Sequence, residues 1–178
     1  MPLLTLDLAK DQLTLTSSDS DATVQLWADA ATAAVGKALG RVVDPADFTE
    51  EVDIGADGSG FVLSNVPVTG LTSVEAVDGS QTWDVDNLHV NADTGAVSVE
   101  SGASLRGKLA VAYTAGVADP PANWTVAGLI ILQHLWETRR GTMGVSMGGD
   151  GEVYMPQLGY AVPRRAVELL GLSLPGVA

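Results

Sequence analysis

The hydrophobic period changes twice along this chain, and that limits the folds open to it. Apolar residues recur at helical spacing up to about residue 40. From about 48 to 114 the pattern shifts to short Val- and Thr-rich runs split by turn residues, and from about 122 helical spacing returns. A chain ordered helix, helix, sheet, helix reads as α+β. We expect a small helical bundle, about three helices plus a short C-terminal one, with an antiparallel β-sheet subdomain inserted. On this reading residues 1–47 and 117–140 form the helical core. Residues 48–116 form the β subdomain, and 141–178 a glycine-rich arm with a C-terminal segment.

Local signals place the elements. Thr5 is a candidate N-cap for a first helix over about 5–14, with Asp7 in the first turn where a carboxylate suits the helix dipole. A second helix spans about 20–40. Its Val24, Trp27, Ala28, Ala31, Ala34, Val35, Ala38 and Leu39 lie on one stripe, and Gly40 stops it. Leu26, Ala30 and Ala33 fall outside that stripe. Four runs read as strands: 61–63, 73–77, 96–99 and 108–113. Asp57-Gly58-Ser59-Gly60, Asp78-Gly79-Ser80 and Asn91–Gly95 read as hairpin turns, giving one sheet of four to six strands. After Pro120-Pro121 a third helix runs over about 122–139, apolar on two sides and so buried on two sides. Pro163 is placed at the first helical position of a short last helix, Arg164–Leu170, stopped by Gly171.

Composition removes whole classes of function. The chain has 178 residues and no cysteine, which excludes disulfides, zinc–thiolate sites, iron–sulfur clusters and cysteine nucleophiles. Its net charge is −13, a poor basis for gripping nucleic-acid phosphates. The acid is concentrated: residues 1–105 hold 3 basic and 17 acidic side chains, and residues 106–178 hold 6 and 5. The longest apolar stretch, Val126–Trp136, is broken by Gly128, Gln133 and His134 and is too short to cross a bilayer. Met1–Leu4 lacks a basic leader region. We expect a soluble protein made in the cytoplasm, with no membrane partner.

No catalytic, cofactor or metal set emerges. Gly144-Val145-Ser146-Met147-Gly148 fits the nucleophile pattern G-x-S-x-G, but that motif needs a following helix and a histidine downstream. The only histidines are His89 and His134, both upstream. We read His134 as a core or interface residue and His89 as an exposed strand residue. The turn aspartates Asp53, Asp57, Asp84, Asp86 and Asp93 match no EF-hand loop and suit local turn hydrogen bonds. Arg139-Arg140 sit at a helix end, where cations complement the dipole. Arg164-Arg165 sit at a helix start, where they ask for an anionic partner.

Two passages carry a resemblance. One is Leu6-Asp7-Leu8-Ala9-Lys10, then Ser18-Asp19-Ser20-Asp21 and an alanine-rich helix. The other is Val111-Ala112-Tyr113-Thr114-Ala115-Gly116, then prolines, then Ala127-Gly128-Leu129-Ile130-Ile131-Leu132-Gln133-His134-Leu135-Trp136-Glu137-Thr138-Arg139-Arg140-Gly141. Together with Leu71-Thr72-Ser73-Val74 and the closing Ala161–Leu170, they resemble the head–tail connector (adaptor, head-completion) proteins of long-tailed bacteriophages. The likeness covers about residues 5–170.

The resemblance implies a non-enzymatic structural protein of the virion neck. Such proteins form rings, typically twelve-fold, beneath the portal protein. They extend the DNA channel, and genomic DNA passes through without specific binding. They present a platform to a stopper or tail-terminator protein. The C-terminal segment commonly engages the portal. For contact with the portal or a neighbouring subunit we expect Arg139, Arg140, Tyr160, Pro163, Arg164, Arg165, Val167, Leu169 and Leu170. For subunit packing we expect Leu129, Leu132, Leu135 and Trp136. The residues agree on one further point: the apolar, proline-started C-terminal segment lacks an obvious home within one subunit. The alternative is a monomeric β-rich adhesin or binding module with helical flanks and ligand loops at 55–60 and 91–95.

Overall fold

The structure, a computed structural model, describes residues 1–55, 58, 60–138 and 162–172. The chain divides into two compact units. One is Met1 with Gly40–Asp119, and the other is Pro2–Leu39 with the chain from Pro120 onward.

The helical unit opens with α1 (Leu6–Leu13). The Thr5 hydroxyl accepts the Leu8 amide at 3.3 Å, as a capping residue should. Thr14 closes the helix in the left-handed conformation, with the Leu15 amide donating back to the Lys10 carbonyl. Lys10 Nζ then lies 2.6 Å from Asp21 Oδ1, in the first turn of α2 (Asp21–Leu39). Val24, Ala28, Ala31, Ala34 and Val35 are buried, which is the expected stripe; Leu26 stays 67% exposed.

Helix α3 (Ala122–Thr138) packs against α1 and α2. It buries Ala127, Gly128, Ile131 and Leu132. A side chain on Gly128 would meet both Leu4 δ-carbons at 3.3 Å, so glycine here lets the buried pair Leu3 and Leu4 lie directly on the helix. Helix α4 (Arg164–Leu169) packs on α3, with Ala166 and Leu170 buried. Asn123 Nδ2 donates to the Leu169 carbonyl at 2.8 Å. The last helix therefore has a home within the subunit, contrary to the expectation. Pro163 is its N-cap rather than its first residue.

The β unit is larger than expected. Among the described residues it holds seven strands, not four to six, in two sheets rather than one: β1 (Ala46–Ile54), β2 (Gly60–Val62), β3 (Val68–Ala76), β4 (Thr82–Trp83), β5 (Leu88–Val90), β6 (Ala96–Val99) and β7 (Gly107–Ala115). The first sheet has the order β1-β7-β3-β4 and the second β2-β6-β5, all antiparallel. Strand β1 pairs along its full length with β7, from Ala46↔Ala115 to Ile54↔Gly107. The chain between Ile54 and Gly60 thus links two sheets and is no hairpin. Within it, Ala56, Asp57 and Ser59 lie outside the described residues.

The other two turns do join paired strands. At β3–β4 the Asp78 carboxylate accepts the Ser80 amide at 2.9 Å, and its hydrogen bonds to Ser80 lower its pKa. At β5–β6 the Asn91 side chain accepts the Thr94 amide at 3.1 Å. One apolar cluster draws from both sheets: Ile54, Phe61, Leu63, Val68, Val74, Trp83, Val97, Leu105, Leu109, Val111, Tyr113 and Ala115. Central strand β7 feeds it at every second position, the period of a half-buried strand.

Candidate assembly surfaces

Solvent-facing residues of the first sheet form an ordered pattern. On β1, Asp47, Thr49, Glu51 and Asp53 are exposed and alternate with half-buried Phe48, Glu50 and Val52. Pairing carries this face across the sheet, since directly opposed residues project to the same side. Glu51 faces Ala110, and Ala110 faces Glu75 on β3. One row on, Thr49 faces Ala112 and Ala112 faces Ser73. Small residues of β7 thus floor a shallow trough, walled by Glu51 and Glu75. Two strand spacings put its walls about 10 Å apart. Neither glutamate has an ion-pair partner among the described residues.

Beneath that face the chemistry is structural. The Tyr113 hydroxyl donates to Glu50 Oε2 at 3.2 Å and accepts Asn65 Nδ2 at 3.0 Å. Glu50 also accepts the Ser64 amide at 3.1 Å. Burial, followed by the nearby Glu50 carboxylate, pushes the phenol above its ordinary range, against the lowering effect of the Asn65 bonds.

The expected interface residues are spread unevenly. Arg164 and Arg165 are exposed; Pro163, Val167 and Leu169 are half-buried, and Leu170 is buried. Arg164 Nε sits 3.4 Å from Glu168 Oε1, one turn along α4, so part of the anion its position called for is local. On α3, Leu129, Leu135 and Trp136 are half-buried. Leu132 is fully buried inside the helical unit, so it is spent on the subunit's own core and offers nothing to a neighbour. Arg139, Arg140, Tyr160 and Ser146 lie outside the described residues. His89 is exposed, 3.5 Å from Glu100, and His134 is half-buried on α3. Among the described residues no group of three His, Cys, Asp or Glu is placed to hold a metal, and no helix is long and apolar enough to cross a membrane.

A family model for head completion proteins matches residues 2–172. The chain belongs to the head completion protein family. The fold of this head completion protein recurs in solved structures of gene transfer agent (GTA) particles. A chain from the neck of an empty GTA particle computed with C6 symmetry is 18% identical, with a TM-score of 0.66, covering 98% of this chain and 92% of that one. A chain from the neck of the native particle computed with C12 symmetry is 18% identical, with a TM-score of 0.62, covering 99% and 93%. A chain from the native GTA virion gives 18%, 0.63, 98% and 92%. No curated protein matches significantly.

The passage that carried the family resemblance turns out to be folding chemistry. In this head completion protein Tyr113 anchors the part-buried network with Glu50 and Asn65. Thr114 Oγ1 donates to Asp47 Oδ1 at 2.8 Å, and Ala115 is fully buried. Gly116 has φ +133°, and a side chain there would strike the Asp44–Pro45 backbone at 2.6–2.7 Å. The trough is what sequence reading missed. Its signal is the alternation of 48–54, hidden by carboxylates that are uncommon in strands.

Proposed function

We propose that this protein is a structural component of a virion neck, a ring-forming adaptor that docks under a portal and extends the DNA channel. It carries out assembly and no chemistry. The observation that carries the reading is the extent of the match: the family model spans 2–172, and chains from particle necks share the fold over nearly the full length. In this reading the ring presents a platform to a stopper or tail-terminator protein. The C-terminal segment, residues 160–178, engages the portal, while the arginines Arg139, Arg140, Arg164 and Arg165 meet the portal or a neighbouring subunit. Leu129, Leu135 and Trp136 on α3 supply apolar area to a neighbouring subunit.

Charge supports a channel role. The sequence of the β unit, Gly40–Asp119, contains 13 acidic and 3 basic side chains. A wall of that sign repels phosphates, so a duplex slides past without sticking.

Truncation after Gly159 tests the portal contact. It should abolish co-purification with the portal. Because α4 packs on α3, a milder truncation after Leu172 keeps the helical unit whole and should weaken the contact. Undiminished portal binding by the shorter chain, with helical circular dichroism retained, would sink the reading.

A further inference from the structure

The sheet trough and the α4 arginines are complementary in sign and lie on different units of the chain. We propose that the trough walled by Glu51 and Glu75 receives Arg164 and Arg165 of a second copy of this protein. The inference rests on the ring reading above and names its subunit contact.

Three observations carry it. Both glutamates are exposed, and the residue between them, Ala110, is small enough to leave the space above β7 open to an incoming side chain. An arginine lying along the trough reaches either wall, and its planar fork matches a carboxylate two bonds at a time. The arginines are exposed on a short, anchored helix. Ala166 and Leu170 fix α4 against α3, and Asn123 holds its last turn, so the two cations are presented from a fixed base. Arg164 has one surface contact to Glu168, a kind of pair that holds weakly. Arg165 has no ion pair among the described residues.

The contact is heterologous, because the two surfaces differ. Each copy offers one trough and one arginine pair, so copies join head to tail, and a closing rotation makes a ring. A self-paired dimer through two acidic troughs would set like charges against each other. That sign pattern selects the arginine face over a second trough.

The test is a pair of charge reversals, Glu51→Arg with Glu75→Arg, and Arg164→Glu with Arg165→Glu. Assembly is read by native mass spectrometry and sedimentation, with and without portal. Wild type should form a ring that loosens between about 50 and 500 mM salt as the contact is screened. Each reversed protein alone should stay monomeric with unchanged circular dichroism. Mixed one to one, they should assemble again, because every junction then pairs a reversed trough with a reversed helix or a native trough with a native helix. Such a ring holds the two proteins in strict alternation. Reversed proteins that still form rings alone, or that fail to assemble when mixed, would overturn this contact while leaving the ring reading standing. Wild type that stays monomeric with portal present would overturn both.

Discussion

The two units both bury large side chains, and they differ in how much of each core is alanine. In the β unit large side chains from separate segments interlock: Phe61, Leu63, Trp83, Leu105, Leu109 and Tyr113 fill the space, and pairing across both sheets brings Phe61, Trp83, Leu109 and Tyr113 there. In the helical unit six alanines, Ala9, Ala28, Ala31, Ala34, Ala127 and Ala166, are 7% exposed or less. Helices that meet through alanine approach closely and leave no slack. The difference predicts opposite sensitivities. The β unit should suffer when a side chain is cut back, and the helical unit when one is enlarged.

The largest expected effect is in the sheet. Leu109→Ala removes a fully buried side chain from the central strand and should cost about 2–5 kcal/mol, seen as faster hydrogen exchange across β1, β3 and β7. In the helical unit Ala28→Leu should cost about 1–3 kcal/mol by overpacking α2 against α3, seen as faster exchange in both helices. The contrast breaks if Ala28→Leu is neutral, which would mean that the bundle can open to admit a larger residue.

Tyr113 sharpens the contrast from the polar side. Tyr113→Phe leaves the ring in place and removes its bonds to Glu50 and Asn65, at a cost of about 1 kcal/mol. It also tests a pH dependence of known sign. A phenol whose folded pKa is raised binds its proton more tightly when folded. Its contribution is therefore complete below the ordinary value of 10.0 and is lost as pH rises through the folded value. Urea midpoints between about pH 9 and 12 should fall less steeply for Tyr113→Phe than for wild type. Equal slopes would remove Tyr113 from the account.

The helices were legible because their signals are local. Thr5 lies one residue before α1, the stripe from Val24 to Val35 lies within α2 and Gly40 follows its last residue, and each does in the fold what its position implies. Strand β1 was not, because Glu50, Glu51 and Asp53 make it look like a polar loop until β7 is beside it. The trough was further out of reach. Glu51, Ala110 and Glu75 share a row only through two pairings between segments far apart in sequence. The home of α4 depends on Ala166 and Asn123, neither of which announces a contact. What stayed hidden was long-range pairing, and the acid trough with it.

The smallest effect isolates the helical unit. Thr14 ends α1 at φ 54°, a left-handed conformation in which its branched side chain crowds the backbone. Glycine takes that conformation without strain, which returns about 1–2 kcal/mol, but it also frees the unfolded chain by about 0.5–1 kcal/mol. Thr14→Gly should therefore stabilise by about 0.5 kcal/mol, and its exposed position leaves no cavity behind. Slower hydrogen exchange should appear in α1 and α2 while β7 is unchanged, if the two units open independently. Slowing that reached β7 equally would show that they open as one, and the opposite sensitivities of the two cores would then be properties of a single cooperative fold.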